Sequence, residues 1–205
     1  DPRFLKILDK ALIREGLGEI FKIALIKSEE LFDKIEKSAS KLLQGDFYNK
    51  SQGRALLAQS LRLMLEEIHE NPEEDILRRS VDFGHTFSPL VEMESVSNAS
   101  YRRLPHGYAV AYDCLLSSVI SNIRGKLSDG DLSRIFNLYL IFDFDFSNPV
   151  YMDHDLMWAS VLEMTKHRGN NQHIPIPTGI GQFCFIEDLT YDELKIAKKR
   201  LAKLL

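Results

Sequence analysis

Two of the six histidines stand apart because each adjoins a glycine: His85 in Phe83-Gly84-His85 and His106 in His106-Gly107-Tyr108. Glycine lets backbone or a bound molecule approach closely. His85 lies among apolar residues (Val81, Phe83, Phe87, Leu90), so a largely buried helix is predicted around it. His106 follows Pro105 and opens the next helix, and a helix–loop–helix connection can bring the two imidazoles together. Glu19 sits in an otherwise apolar helical face of "REGLGEIFK", with Lys22 three residues on. Two histidines and a carboxylate are the donor set of a catalytic zinc site with open coordination positions. The same residues also suit a plainer reading: hydrogen-bonded core histidines and an ordinary helical ion pair. Spacing alone leaves both open, because Glu19 is far from His85 in the chain. His69 in a charged run, His154 at a helix start and His173 in a polar loop have ordinary explanations.

The elements that must position these residues are mostly helical. Apolar spacing predicts helices over 4–14, 17–44 and 54–70, with a polar break at 44–53. Asn71 and Pro72 read as the cap and first turn of a helix over 74–93, disturbed near Gly84 and Pro89. A loop follows over 95–105, then helices over 106–123, 127–142 and 153–166. Strand character is confined to 167–188, and Thr190 with Glu193 forms a capping box for a closing helix. Asp153 and His154 read as a helix cap. Strand and helix do not alternate, and no GxGxxG follows a strand. The expectation is a mainly α domain over residues 1–205, of roughly eight or nine helices.

Composition narrows the function classes. The 205 residues carry a formal net charge of −4 with scattered lysines and arginines, so nothing favours nucleic acid or an anionic membrane. No apolar run approaches the ~20 residues of a membrane span. Cys114 and Cys184 sit in apolar surroundings and read as buried free thiols of a cytoplasmic protein. The opening "DPRFLKILDK" is already amphipathic and reads as a cut inside a longer chain.

"REGLGEIFKIALI", "RRSVDFGHTFSPLVEM" and "LPHGYAVAYD", in this order, resemble the C-terminal domain of the sugar phosphate cyclases, the superfamily of 3-dehydroquinate synthase. The resemblance implies Glu19, His85 and His106 as ligands of Zn2+ or Co2+, with Lys22, Arg78 and Asp82 at the reacting substrate. Dehydroquinate synthases usually carry asparagine, a second histidine and a lysine where this chain has Asp82, Pro89 and Met64. These departures are similar to the 2-epi-5-epi-valiolone synthase branch, which cyclises sedoheptulose 7-phosphate. Desmethyl-4-deoxygadusol synthase is a close alternative, and so is 3-dehydroquinate synthase itself. The swaps remove cationic or protonatable groups, which suits a substrate without the carboxylate they would pair. "MTKHRGNNQHIPIPTGIG" resembles the family's phosphate-binding segment, which makes Lys166 and Arg168 candidates and adds them to Pro89 around the substrate.

In that family NAD+ oxidises a substrate hydroxyl, phosphate leaves by elimination, the hydride returns, and the opened ring closes by aldol addition. The resemblance implies that NAD+ is bound mainly by an N-terminal nucleotide-binding domain that this chain lacks. It also implies the active site in the cleft between the two domains and, as is common in the family, a homodimer. Two other readings compete: a metal-dependent polyol dehydrogenase, and a non-catalytic helical module.

Overall fold

The computed structural model describes residues 1–46, 50–73 and 75–205. Among these are eight α-helices: α1 (Lys10–Lys27), α2 (Glu29–Lys41), α3 (Ser51–Glu70), α4 (Ser88–Ser97), α5 (His106–Ile123), α6 (Asp129–Ile141), α7 (His154–His167) and α8 (Tyr191–Leu204). One antiparallel hairpin, β1 (Ile174–Gly179) and β2 (Gln182–Ile186), accounts for the strand character. Three short 3-10 turns, at Pro2–Ile7, Ser80–Asp82 and Pro149–Met152, join the helices. Part of the predicted break at 44–53 (residues 47–49) and the first residue of the predicted helix 74–93 lie outside the described residues.

Helix α5 is the centre. It is buried all round from Ala109 to Ser121, which is the signature of a helix enclosed by others. Helices α1, α4, α6 and α8 and strand β1 pack against it. Its buried serines are satisfied within the helix or by β1: Ser118 Oγ donates to the Cys114 carbonyl at 2.7 Å, and Ser121 Oγ donates to the Pro177 carbonyl. Aromatic pairs fill the space around it, with Phe21 stacked on Tyr139 at 4.7 Å and Tyr112 on Tyr151 at 3.9 Å.

The N-terminal helices divide differently from the periodicity. Helix α1 runs unbroken through Gly16, beside which there is open space, so nothing ends the helix there. The break falls at Ser28, whose backbone is extended and whose Oγ accepts the Leu31 N–H to cap α2. The predicted helix over 74–93 also fails. Asn71 does not cap a helix start; its side chain bonds both the N–H and the carbonyl of Ile76, which closes a loop instead. Gly84 has a left-handed φ of +78°, and Pro89, which has no N–H, fits only in the first turn, so the helix starts at Ser88.

At α8 only half of the capping box forms. Thr190 Oγ1 accepts the Glu193 N–H, while the Glu193 carboxylate pairs with Arg124. Cys114 is buried as expected; Cys184, on β2, is half-buried. No helix among the described residues is long and apolar enough to cross a membrane.

Candidate metal centre

Two features bring Glu19, His85 and His106 together. The first is the crossing of α1 and α5. A Cβ on Gly107 would lie 2.3 Å from the Cα of Glu15, and one on Gly18 would lie 2.5 Å from the Gly107 carbonyl oxygen. Only glycines allow that approach, and it sets the neighbouring Glu19 beside His106. The second is the turn that carries His85. A Cβ on Gly84 would lie 2.8 Å from Cys114 Sγ and 3.2 Å from the Lys22 stem. Phe83 and Phe87 are buried on either side of this turn. The fully buried Asp113 of α5 accepts the N–H groups of Phe87 at 2.6 Å and Ser88 at 3.0 Å. His85 is therefore in a turn clamped onto α5, not on a helix.

The three donors converge. Glu19 Oε1 lies 3.1 Å from His106 Nε2 and 4.0 Å from His85 Nε2, and all three ligand atoms lie within 4.8 Å of one another. One carboxylate oxygen and two imidazole nitrogens on a concave, partly open surface suit a divalent ion that keeps free coordination positions. Lys22 is buried beside them, with Nζ 2.9 Å from Glu19 Oε2, 3.2 Å from the Val81 carbonyl oxygen and 3.3 Å from His85 Nδ1. Burial works to raise the Glu19 pKa, but Lys22 and the two histidines hold it below the usual carboxylate range. Burial, reinforced by the Lys22 charge, lowers His85 to about 4, so the ring is neutral and able to ligate at neutral pH. For His106 burial is outweighed by Glu92 and Glu19, and its pKa rises.

The other predicted residues divide into two groups. Pro89 and Arg168 line, with His85, a cleft of about 350 Å³ that also includes Met93, Met164 and His167. Asp82 lies behind it, 2.5 Å from Arg168 Nη2 and 2.6 Å from Arg79 Nη2. Arg78 and Lys166 do not line it: Arg78 pairs with Glu187 at the surface and stacks on Phe185, and Lys166 pairs at 2.8 Å with Glu163, a residue of the cleft wall. Met64 packs half-buried against the core.

Sequence reasoning missed two residues. Asp113 is a lone acid in an apolar run, and such an acid in a buried helix needs buried donors. Glu92, whose Oε2 is 2.8 Å from His106 Nδ1, gave no local signal, because its partner lies across a loop.

Comparison with known proteins gives a consistent result. The profile of the family described as 3-dehydroquinate synthase C-terminal matches residues 16–167. A 2-epi-5-epi-valiolone synthase of Streptomyces hygroscopicus subsp. jinggangensis is 39% identical over 99% of this chain and 49% of its own length. The solved structure of ValA, the 2-epi-5-epi-valiolone synthase of that organism with NAD+ and Zn2+ bound, is 40% identical with a TM-score of 0.92, over 99% of this chain and 54% of that one. A 2-deoxy-scyllo-inosose synthase complexed with carbaglucose-6-phosphate, NAD+ and Co2+ shares the fold alone, at 15% identity and a TM-score of 0.66, over 97% of this chain and 55% of its own. The chain thus spans about half the length of the relatives it matches.

Proposed function

This chain belongs to the 3-dehydroquinate synthase C-terminal family, and on that footing we propose that residues 1–205 are the metal- and substrate-binding half of an NAD-dependent sugar phosphate cyclase. Its reaction is the conversion of sedoheptulose 7-phosphate to 2-epi-5-epi-valiolone with loss of phosphate. The observation that carries this reading is the convergence of Glu19, His85 and His106 next to Lys22 and the cleft. The similarity to 2-epi-5-epi-valiolone synthases over nearly the whole chain supports the choice of substrate.

Glu19, His85 and His106 would hold Zn2+ or Co2+, which would supply Lewis acidity toward substrate oxygens. Lys22, fixed by Glu19 and the Val81 carbonyl, sets a buried positive charge beside the ligands, where it can neutralise an anionic oxygen. Arg168, oriented by Asp82, presents a guanidinium to the cleft with the fork geometry that suits phosphate. Pro89 gives the cleft wall an apolar surface with no group to pair a carboxylate. NAD+, present in the solved valiolone synthase structure, would be held mainly by an N-terminal domain of the kind the family carries.

The test offers the whole protein sedoheptulose 7-phosphate and the dehydroquinate precursor side by side, with product identification. Turnover of the former to 2-epi-5-epi-valiolone is expected. Turnover of only the dehydroquinate precursor would overturn the substrate assignment.

A further inference from the structure

His106 offers its two ring nitrogens to two different carboxylates. Nε2 faces Glu19 Oε1 at 3.1 Å, inside the donor cluster. Nδ1 faces Glu92 Oε2 at 2.8 Å, on the far side of the ring. With an ion shared by Nε2 and Glu19, the Glu92 carboxylate, which can only accept, holds the ring proton on Nδ1 and leaves the Nε2 lone pair to ligate. Resting on the metal-centre reading above, we propose that Glu92 is a positioning residue: it fixes the tautomer and tilt of His106 and raises the basicity of its ligating nitrogen.

The surrounding contacts make Glu92 the closing link of a ring. The turn bearing His85 leads directly into α4, and Glu92 sits on the second turn of that helix. Glu92 reaches His106, the first residue of α5. Seven residues along α5, Asp113 returns to the Phe87 and Ser88 amides at the start of α4. The separation of the two histidines is therefore set twice, by the Asp113 cap and by the Glu92 contact. His85 lacks such support, since its Nδ1 faces Lys22. The two ligands are thus unequal, and only His106 is held by a negative charge behind it.

Carboxylates that accept from a ligating histidine typically contribute ~10–100-fold in metal affinity. In the whole protein, Glu92→Ala is expected to weaken Zn2+ binding by about that factor in competition titrations. Glu92→Gln, which keeps an acceptor but no charge, should fall between that variant and the parent. Both variants should change the visible absorption of bound Co2+, while the metal-free protein keeps a cooperative melting transition. A bystander carboxylate would leave the Co2+ spectrum unmoved. If Glu92→Gln and Glu92→Ala bind Zn2+ as the parent does while His106→Ala loses it, the positioning role is wrong and the metal centre stands. If His106→Ala also binds Zn2+ undiminished, the metal-centre reading itself fails.

Discussion

Asp113 is an acid whose protonation the fold shifts toward neutral pH. It is fully buried, and burial pushes its carboxyl up to about 6, against the pull of the Phe87 and Ser88 amides. The folded protein therefore holds this proton more tightly than the unfolded chain, whose aspartate titrates near 3.8. Stability from the group is fully present below about pH 4 and is lost as the pH rises through about 6, for a total of about 3 kcal/mol. Asp113→Asn removes that titration and keeps one acceptor for the amides. Relative to this variant, the parent should lose stability between pH 4 and 6 and run parallel to it above. Parallel curves over pH 4–7 in denaturant unfolding would show that the carboxyl titrates normally.

The crossing of α1 and α5 decides whether the ligands meet. Gly107 is packed against the backbone of Glu15, which cannot swing aside as a side chain can. Gly107→Ala should therefore cost at least the ~1–3 kcal/mol of an overpacked core and abolish high-affinity metal binding by moving Glu19 from His106. Gly16→Ala, on the same helix, meets open space and should instead stabilise by roughly 0.5–1 kcal/mol. Thermal unfolding of the pair, with metal titration of the first, checks both. The sequence revealed α5 fully, because Pro105 marks its start and its apolar run is long. It misled at His85, where Val81, Phe83, Phe87 and Leu90 mimic helical spacing although residues 80–87 form a 3-10 turn and a loop ahead of the helix. Glu19, His85 and His106 were candidate donors from residue type and neighbouring glycines, but only the resemblance joined them, since nothing local ties Glu19 to residues so far along the chain. Glu92 and Asp113 were invisible as a clamp because both act through contacts between elements.

The donors come from three parts of the chain, so an ion held by them binds the folded molecule and not the unfolded one. At 100 times its Kd, Zn2+ should stabilise by about 2.7 kcal/mol. For a chain of this size that is a rise in melting temperature of roughly 5–11 °C. Glu19→Ala should abolish the rise, and an equal rise in that variant would place the ion elsewhere. The glycine seam has a wider consequence. Where two helices meet through side chains, their separation drifts whenever a neighbouring side chain changes volume. Here peptide atoms meet peptide atoms at Gly18, Gly107 and Glu15, and peptide atoms have one size whatever the sequence. The spacing of Glu19 and His106 is thereby less sensitive to side-chain substitutions elsewhere in the core. Side chains around the seam can diverge, or be redesigned, without moving Glu19 away from His106.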